Sequence, residues 1–65
     1  MTYAVAYVNF YDNDLQLKTV DVPSTDWKVA LEAAFPGHAE HISDDLEEAK
    51  NDAFNQDWLF AVEAV

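Results

Sequence analysis

Residues 3–10, Tyr-Ala-Val-Ala-Tyr-Val-Asn-Phe, contain a single polar side chain. The run is rich in β-branched and aromatic residues and reads as a strand. Successive strand side chains point to opposite faces. Ala4, Ala6, Val8 and Phe10 therefore share one face, and Tyr3, Val5, Tyr7 and Tyr11 share the other. Both faces are apolar, so each calls for cover. The rest of the fold has to be built around that requirement.

Tyr11-Asp12-Asn13-Asp14 reads as a turn, because Asp and Asn bond nearby backbone and tolerate left-handed geometry. Residues 15–22 follow as a second strand and close a hairpin. Leu15 and Leu17 alternate with Gln16 and Lys18, then the apolar phase shifts to Val20 and Val22, which suggests a bulge near Thr19. Pro23-Ser24-Thr25 opens a helix with Ser24 or Thr25 as N-cap and Asp26 in the first turn. Trp27, Ala30, Leu31, Ala34 and Phe35 form one helical stripe, and Pro36-Gly37 ends it. Ser43 or Asp44 caps a second helix, where Asp44 and Glu47 fit an acidic capping box. Its apolar face is Leu46, Ala49, Ala53 and Phe54. From Asp57 to Val65 the pattern alternates, with Trp58, Phe60, Val62 and Ala64 on one side. That reads as a third strand pairing with the first, the alternative being a helix continuing from Phe54.

The expected fold is therefore α+β in the order ββααβ. Residues 1–65 form one domain, a three-stranded antiparallel sheet with two helices packed on one face. Two short helices cover only one sheet face. The other face is expected to expose Tyr3 and Tyr7 as aromatic anchors, a composition typical of an interface.

Size and charge then narrow the function. A chain of 65 residues buries only about 60% of the surface its unfolded form exposes. It has no cysteine, so neither a disulfide nor a thiolate metal site can reinforce it. It is nevertheless not a disordered acidic chain, since 51% of its residues are hydrophobic. Met1-Thr2-Tyr3-Ala4 has no basic segment of the signal-peptide kind, and no apolar run is long enough to span a bilayer, so a cytoplasmic location is expected. Thirteen carboxylates face three lysines (Lys18, Lys28, Lys50) and no arginine, for a net charge of −10. A magnitude of about 2–8 suffices for the solubility of a small domain. The excess repels nucleic acid and anionic membranes and attracts basic proteins.

The densest charge is Asp44, Asp45, Glu47, Glu48 and Asp52. On a helix, Asp44, Glu47, Glu48 and Asn51 fall at i, i+3, i+4 and i+7, with neighbours about 5–6 Å apart between Cβ atoms. Such a ridge can imitate duplex DNA, which carries one charge per about 1.7 Å of axis. Asp12, Asp14, Asp57 and Glu63 would extend the field. The plainer reading is a solvated helix face, but such faces usually mix signs, and Lys50 is the one cation on that helix.

Other chemistries find less footing. A catalytic carboxylate pair needs one member in an apolar pocket, and nothing in so short a chain indicates one. His38 and His41, with Glu40 and Asp44, have ligand-type side chains but lack the i, i+4 histidine pair of a helical zinc motif. Asp12-Asn13-Asp14 lacks the glycine and the distal glutamate of a calcium loop. Gly37, the one glycine, cannot build a phosphate-cradling loop. No catalytic residue, metal or cofactor is expected, and the chain is read as a non-enzyme.

In length, charge, lack of arginine and cysteine, and ββααβ order, the chain resembles the small acidic phage-encoded host-takeover proteins, the anti-CRISPR and DNA-mimic class. That resemblance implies an inhibitor, acting in the host cytoplasm, that engages a basic surface of a nucleic-acid-handling protein. Asp44, Asp45, Glu47, Glu48 and Asp52 would supply the negative ridge, with Tyr3 and Tyr7 beside it. The alternative is a homodimeric structural or regulatory protein whose sheet face pairs with its twin.

Overall fold

The computed structural model describes residues 1–65. Strands β1 (Thr2–Asn9), β2 (Asp14–Asp21) and β3 (Trp58–Ala64) form an antiparallel sheet in the order β2-β1-β3. Helices α1 (Trp27–Ala34) and α2 (Leu46–Asn55) are joined through a 3-10 turn at Ala39–His41. The ββααβ order, the central position of the first strand and the strand character of the last segment are all as the sequence indicates. Elements begin and end within a residue or two of the expected bounds.

The hairpin loop is Phe10–Asn13, one residue earlier than expected. Asn13 takes a φ of 53° and donates its N–H to the Asn9 carbonyl at 2.8 Å. At the α2–β3 junction Asp57 takes a φ of 68°. Short polar side chains accept this left-handed geometry more readily than others.

The sheet register overturns two expectations. It runs unbroken from Thr2↔Asp21 to Asn9↔Asp14, so there is no bulge near Thr19. The shift in apolar phase along β2 is instead a change of face. Val20 pairs with Tyr3 under the helices, whereas Leu15 and Leu17 pair with Val8 and Ala6 on the opposite side. Lys18 falls on the helix side. Its Nζ donates to the Ala34 carbonyl at 3.1 Å, at the C-terminus of α1, and lies 4.8 Å from the centre of the Phe35 ring. A cation there complements the helix dipole and the ring quadrupole together.

The second overturned expectation concerns the tyrosines. Tyr3 and Tyr7 are 5% and 7% exposed and lie in the core beneath the helices, not on an open face. They belong there because each ring fills the core while its hydroxyl reaches a polar partner at the rim. Tyr3 donates to the Ser24 carbonyl at 3.1 Å. Tyr7 lies 3.1 Å from Nε2 of His38, and its oxygen accepts from Asn9 Nδ2 at 3.3 Å. Tyr7 also stacks on Phe35 at 5.1 Å and tilts against Trp58 at 5.6 Å, while Trp27 stacks on Phe60 at 5.5 Å. Above these rings the helices present mostly small residues, beside Leu31 and Phe35. Ala30, Ala34, Ala49 and Ala53 meet the core at 0–2% exposure, so the helices seat closely. Phe54 departs from its expected place: it is 58% exposed and packs edge-on against Phe10 at 6.1 Å.

Candidate interaction surface

Both helices start on the same three-residue device. In Ser24-Thr25-Asp26 the Ser24 Oγ accepts from the Asp26 N–H at 3.0 Å, and Asp26 accepts from the Lys28 N–H at 3.0 Å. In Ser43-Asp44-Asp45 the Ser43 Oγ accepts from the Asp45 N–H at 3.1 Å, and Asp45 accepts from the Glu48 N–H at 3.2 Å. The aspartate satisfies a free N–H of the first helical turn, and the serine orients the aspartate. The N-caps are thus Asp26 and Asp45, one residue beyond the nearest candidates expected from sequence.

That shift reorganises the acidic segment. Asp44 lies before α2 and off its face. Lys28 holds it there, donating from Nζ to Asp44 Oδ1 at 2.8 Å and to the Ile42 carbonyl at 2.8 Å. The hydrogen bond, and then the charge, of Lys28 keep the Asp44 carboxyl below the usual carboxylate range. Ser43 organises the rest. Its hydroxyl donates to Glu48 Oε2 at 3.1 Å and its N–H to Asp52 Oδ2 at 2.9 Å. Glu47 is exposed and makes none of these contacts. The expected ridge of Asp44, Glu47, Glu48 and Asn51 is therefore broken at its first position. What the fold brings together is Asp45, Glu47 and Glu48 at the α2 N-terminus, where the helix dipole favours negative charge. Asp52 is half-buried and turned toward Ser43.

The charge is displayed rather than neutralised. Of the thirteen carboxylates, only Asp44 and Asp21 meet a lysine or the Met1 amine within ion-pair distance. Glu40 lies 3.4 Å from His41. Lys18 and Lys28 are spent on backbone carbonyls of the α1 and Ile42 segments, and Lys50 is exposed on α2. No Asp or Glu is buried. At the hairpin end Tyr11 donates to Asp57 Oδ2 at 2.7 Å. The hydrogen bond to that carboxylate, and then its charge, raise the Tyr11 phenol above its ordinary range.

The histidines do not converge. His38 bridges the Phe35 carbonyl and the Tyr7 hydroxyl, whereas His41 turns to Glu40. No three Asp, Glu or His side chains approach closely enough to hold a metal ion. The largest concavity, ≈ 600 Å³, is an open groove beside α1. Its carboxylates include Asp26, which caps the helix, and Glu32, which accepts from the Gly37 N–H at 3.2 Å. No helix is long and apolar enough to cross a membrane.

The uncovered sheet face is aliphatic. Leu15 and Leu17 are each 71% exposed, and Leu59 is 42% exposed. Sequence reasoning placed tyrosines here and missed these leucines. Counting register outward from the Asn9↔Asp14 pair would have set Leu15 beside Val8. Comparison with protein families, curated proteins and solved structures finds no match to this chain.

Proposed function

We propose that this protein is a non-enzymatic binder that engages a basic surface of a nucleic-acid-handling protein, the inhibitor role that its resemblance to small acidic phage-encoded proteins implies. The observation that carries this reading is the near absence of ion pairing, since only two of the thirteen carboxylates meet a lysine or the Met1 amine. Unpaired like charges on a small domain cost stability through self-repulsion. They also set up a long-range field that steers a cationic partner and raises its association rate. Asp45 and Glu48, fixed at the start of α2 by the Ser43 contacts, give that field a focus, with Glu47 exposed beside them. The aromatic anchors first expected at Tyr3 and Tyr7 have no part in it, because both rings are in the core.

The test is competition. Purified DNA-binding proteins with basic grooves are titrated with the chain at about 0.05 M and 0.5 M salt, with and without duplex DNA. Screening lengths fall well below 10 Å over that range, so affinity should drop steeply. Duplex DNA should displace the protein, and the double replacement E47K/E48K should weaken binding at least tenfold while leaving the circular-dichroism spectrum unchanged. Binding that ignores salt, or that coexists with DNA on the same groove, refutes the reading.

A further inference from the structure

The sheet lacks a second covering layer, and its open face is not the polar one that an antiparallel sheet usually turns to water. The register sorts that face into cross-strand rows. Nearest the hairpin, Leu15, Val8 and Leu59 form one row, and Leu17, Ala6 and Ala61 form the next. Beyond them come Thr19, Ala4 and Glu63, then Asp21 and Thr2. Val8 lies between Leu15 and Leu59, and Ala6 and Ala61 lie beside Leu17, which leaves a shallow trough. It is ≈ 180 Å³ and lined by seven residues, all hydrophobic. Carboxylates stand at one end of this face, where Asp21 and Glu63 lie past the apolar rows.

Resting on the binder reading above, we infer that this open face docks an amphipathic basic helix of the partner, with an aliphatic stripe in the trough and lysine or arginine toward the rim. Two observations select that occupant over a second copy of the chain. Strands about 4.8 Å apart with a rise of about 3.3 Å per residue give the two apolar rows a plane of only about 200 Å². Pairing two copies would bury far less than the about 1,200 Å² total of a stable interface. Each copy also carries a net charge of −10, so the pair would repel. A cationic partner turns that charge from opposition into attraction. A helix about 10 Å across fits a three-strand face, presenting anchors at i, i+3, i+4 and i+7. Nucleic acid and anionic membrane are repelled by the same carboxylates.

The probe is a synthetic 18-residue peptide with leucine at helical spacing and lysine elsewhere, alongside a scramble of the same composition. Each is titrated into the full chain by calorimetry and by methyl NMR at low and high salt. The expected result is that the striped peptide shifts the methyls of Leu15, Leu17 and Leu59 and binds at least tenfold tighter than the scramble. Leu15→Ser and Leu17→Ser should each lower affinity about tenfold. Both side chains are exposed, so the fold should survive, as an unchanged circular-dichroism spectrum would verify. Equal binding of the scramble overturns the inference while leaving the acidic-binder reading intact. Striped binding that is indifferent to salt overturns both. A salt-resistant dimer broken by Leu17→Ser, or no binding of either peptide, overturns the inference in favour of self-association or of an empty face.

Discussion

Asp45 serves two roles that a pair of substitutions can separate. Its carboxylate caps α2 by accepting from the Glu48 N–H at 3.2 Å, and its charge adds to the field at that helix end. Asp45→Ala removes both. Losing an N-cap costs about 1 kcal/mol, within a range of roughly 0.5–2, because a first-turn N–H loses its partner. Loss of the charge at the positive end of the helix dipole costs about 0.3–1 kcal/mol more. Relief of repulsion in so acidic a chain returns part of the second quantity, so the expected total is about 1–1.5 kcal/mol. In a domain of this size each kcal/mol moves the melting temperature by about 4–8 °C. Asp45→Ala should therefore melt roughly 4–12 °C below the parent. Asp45→Asn keeps a carbonyl acceptor in the same place and should fall within about 0.5 kcal/mol of the parent. Thermal melts followed by circular dichroism read the totals, and amide hydrogen exchange at Glu48 reads the cap directly. An alanine variant as stable as the parent, with Glu48 exchange unchanged, would refute the cap. An asparagine variant as damaged as alanine would show that charge, not the hydrogen bond, holds this helix end.

Leu31 is fully buried, and Leu31→Ala should cost about 3–5 kcal/mol through lost transfer energy and the cavity left behind. That approaches the whole stability of a domain this small, so the urea transition should leave little or no folded baseline. Raising salt from about 0.02 to 0.5 M should increase the melting temperature by screening self-repulsion, the opposite of its expected effect on partner binding. A melting temperature that falls with salt would contradict the picture of largely unpaired charge. The two shifted groups act at opposite ends of the pH scale. The folded Asp44 carboxyl titrates below its unfolded value of about 3.9, so its contribution is present above that pH and is lost as pH falls through the lower folded value. The folded Tyr11 phenol titrates above its unfolded value of about 10, so its contribution is complete below that pH and is lost as pH rises through the higher folded value. NMR titration of Asp44 in Lys28→Met should return its midpoint toward the ordinary range. NMR titration of the Tyr11 ring in Asp57→Asn should bring its midpoint back toward the ordinary phenol range.

Most of the fold was legible because local signals agreed. The β-forming run at residues 3–10, the alternation in 58–64, the Pro36-Gly37 stop and the Trp27-to-Phe35 stripe each point to one element, and the structure contains them all. The N-caps were missed by one residue for a specific reason. Serine, threonine and aspartate all cap helices, and the sequence does not rank them once Ser24 and Ser43 are occupied in holding Asp26 and Asp45. Asp44 left the helical ridge because Lys28, sixteen residues away, holds it before the helix. Such pairings depend on where α1 lies, which no local pattern encodes. The open face was misassigned because β1 is apolar on both sides, so its periodicity cannot say which side the helices cover.

The amino-acid sequence by itself determined the element order, the central place of the first strand and the size of the negative charge. These follow from residue type and spacing along the chain, and they hold however the layers stack. Only the tertiary structure decided which sheet face is covered, which carboxylates serve as caps and where the lysines go. The deciding physics there is packing and hydrogen-bond satisfaction between distant segments. Tyr3 and Tyr7 are buried because the helices bring Ser24 and His38 within reach of their hydroxyls, and that burial leaves Leu15, Leu17 and Leu59 facing outward.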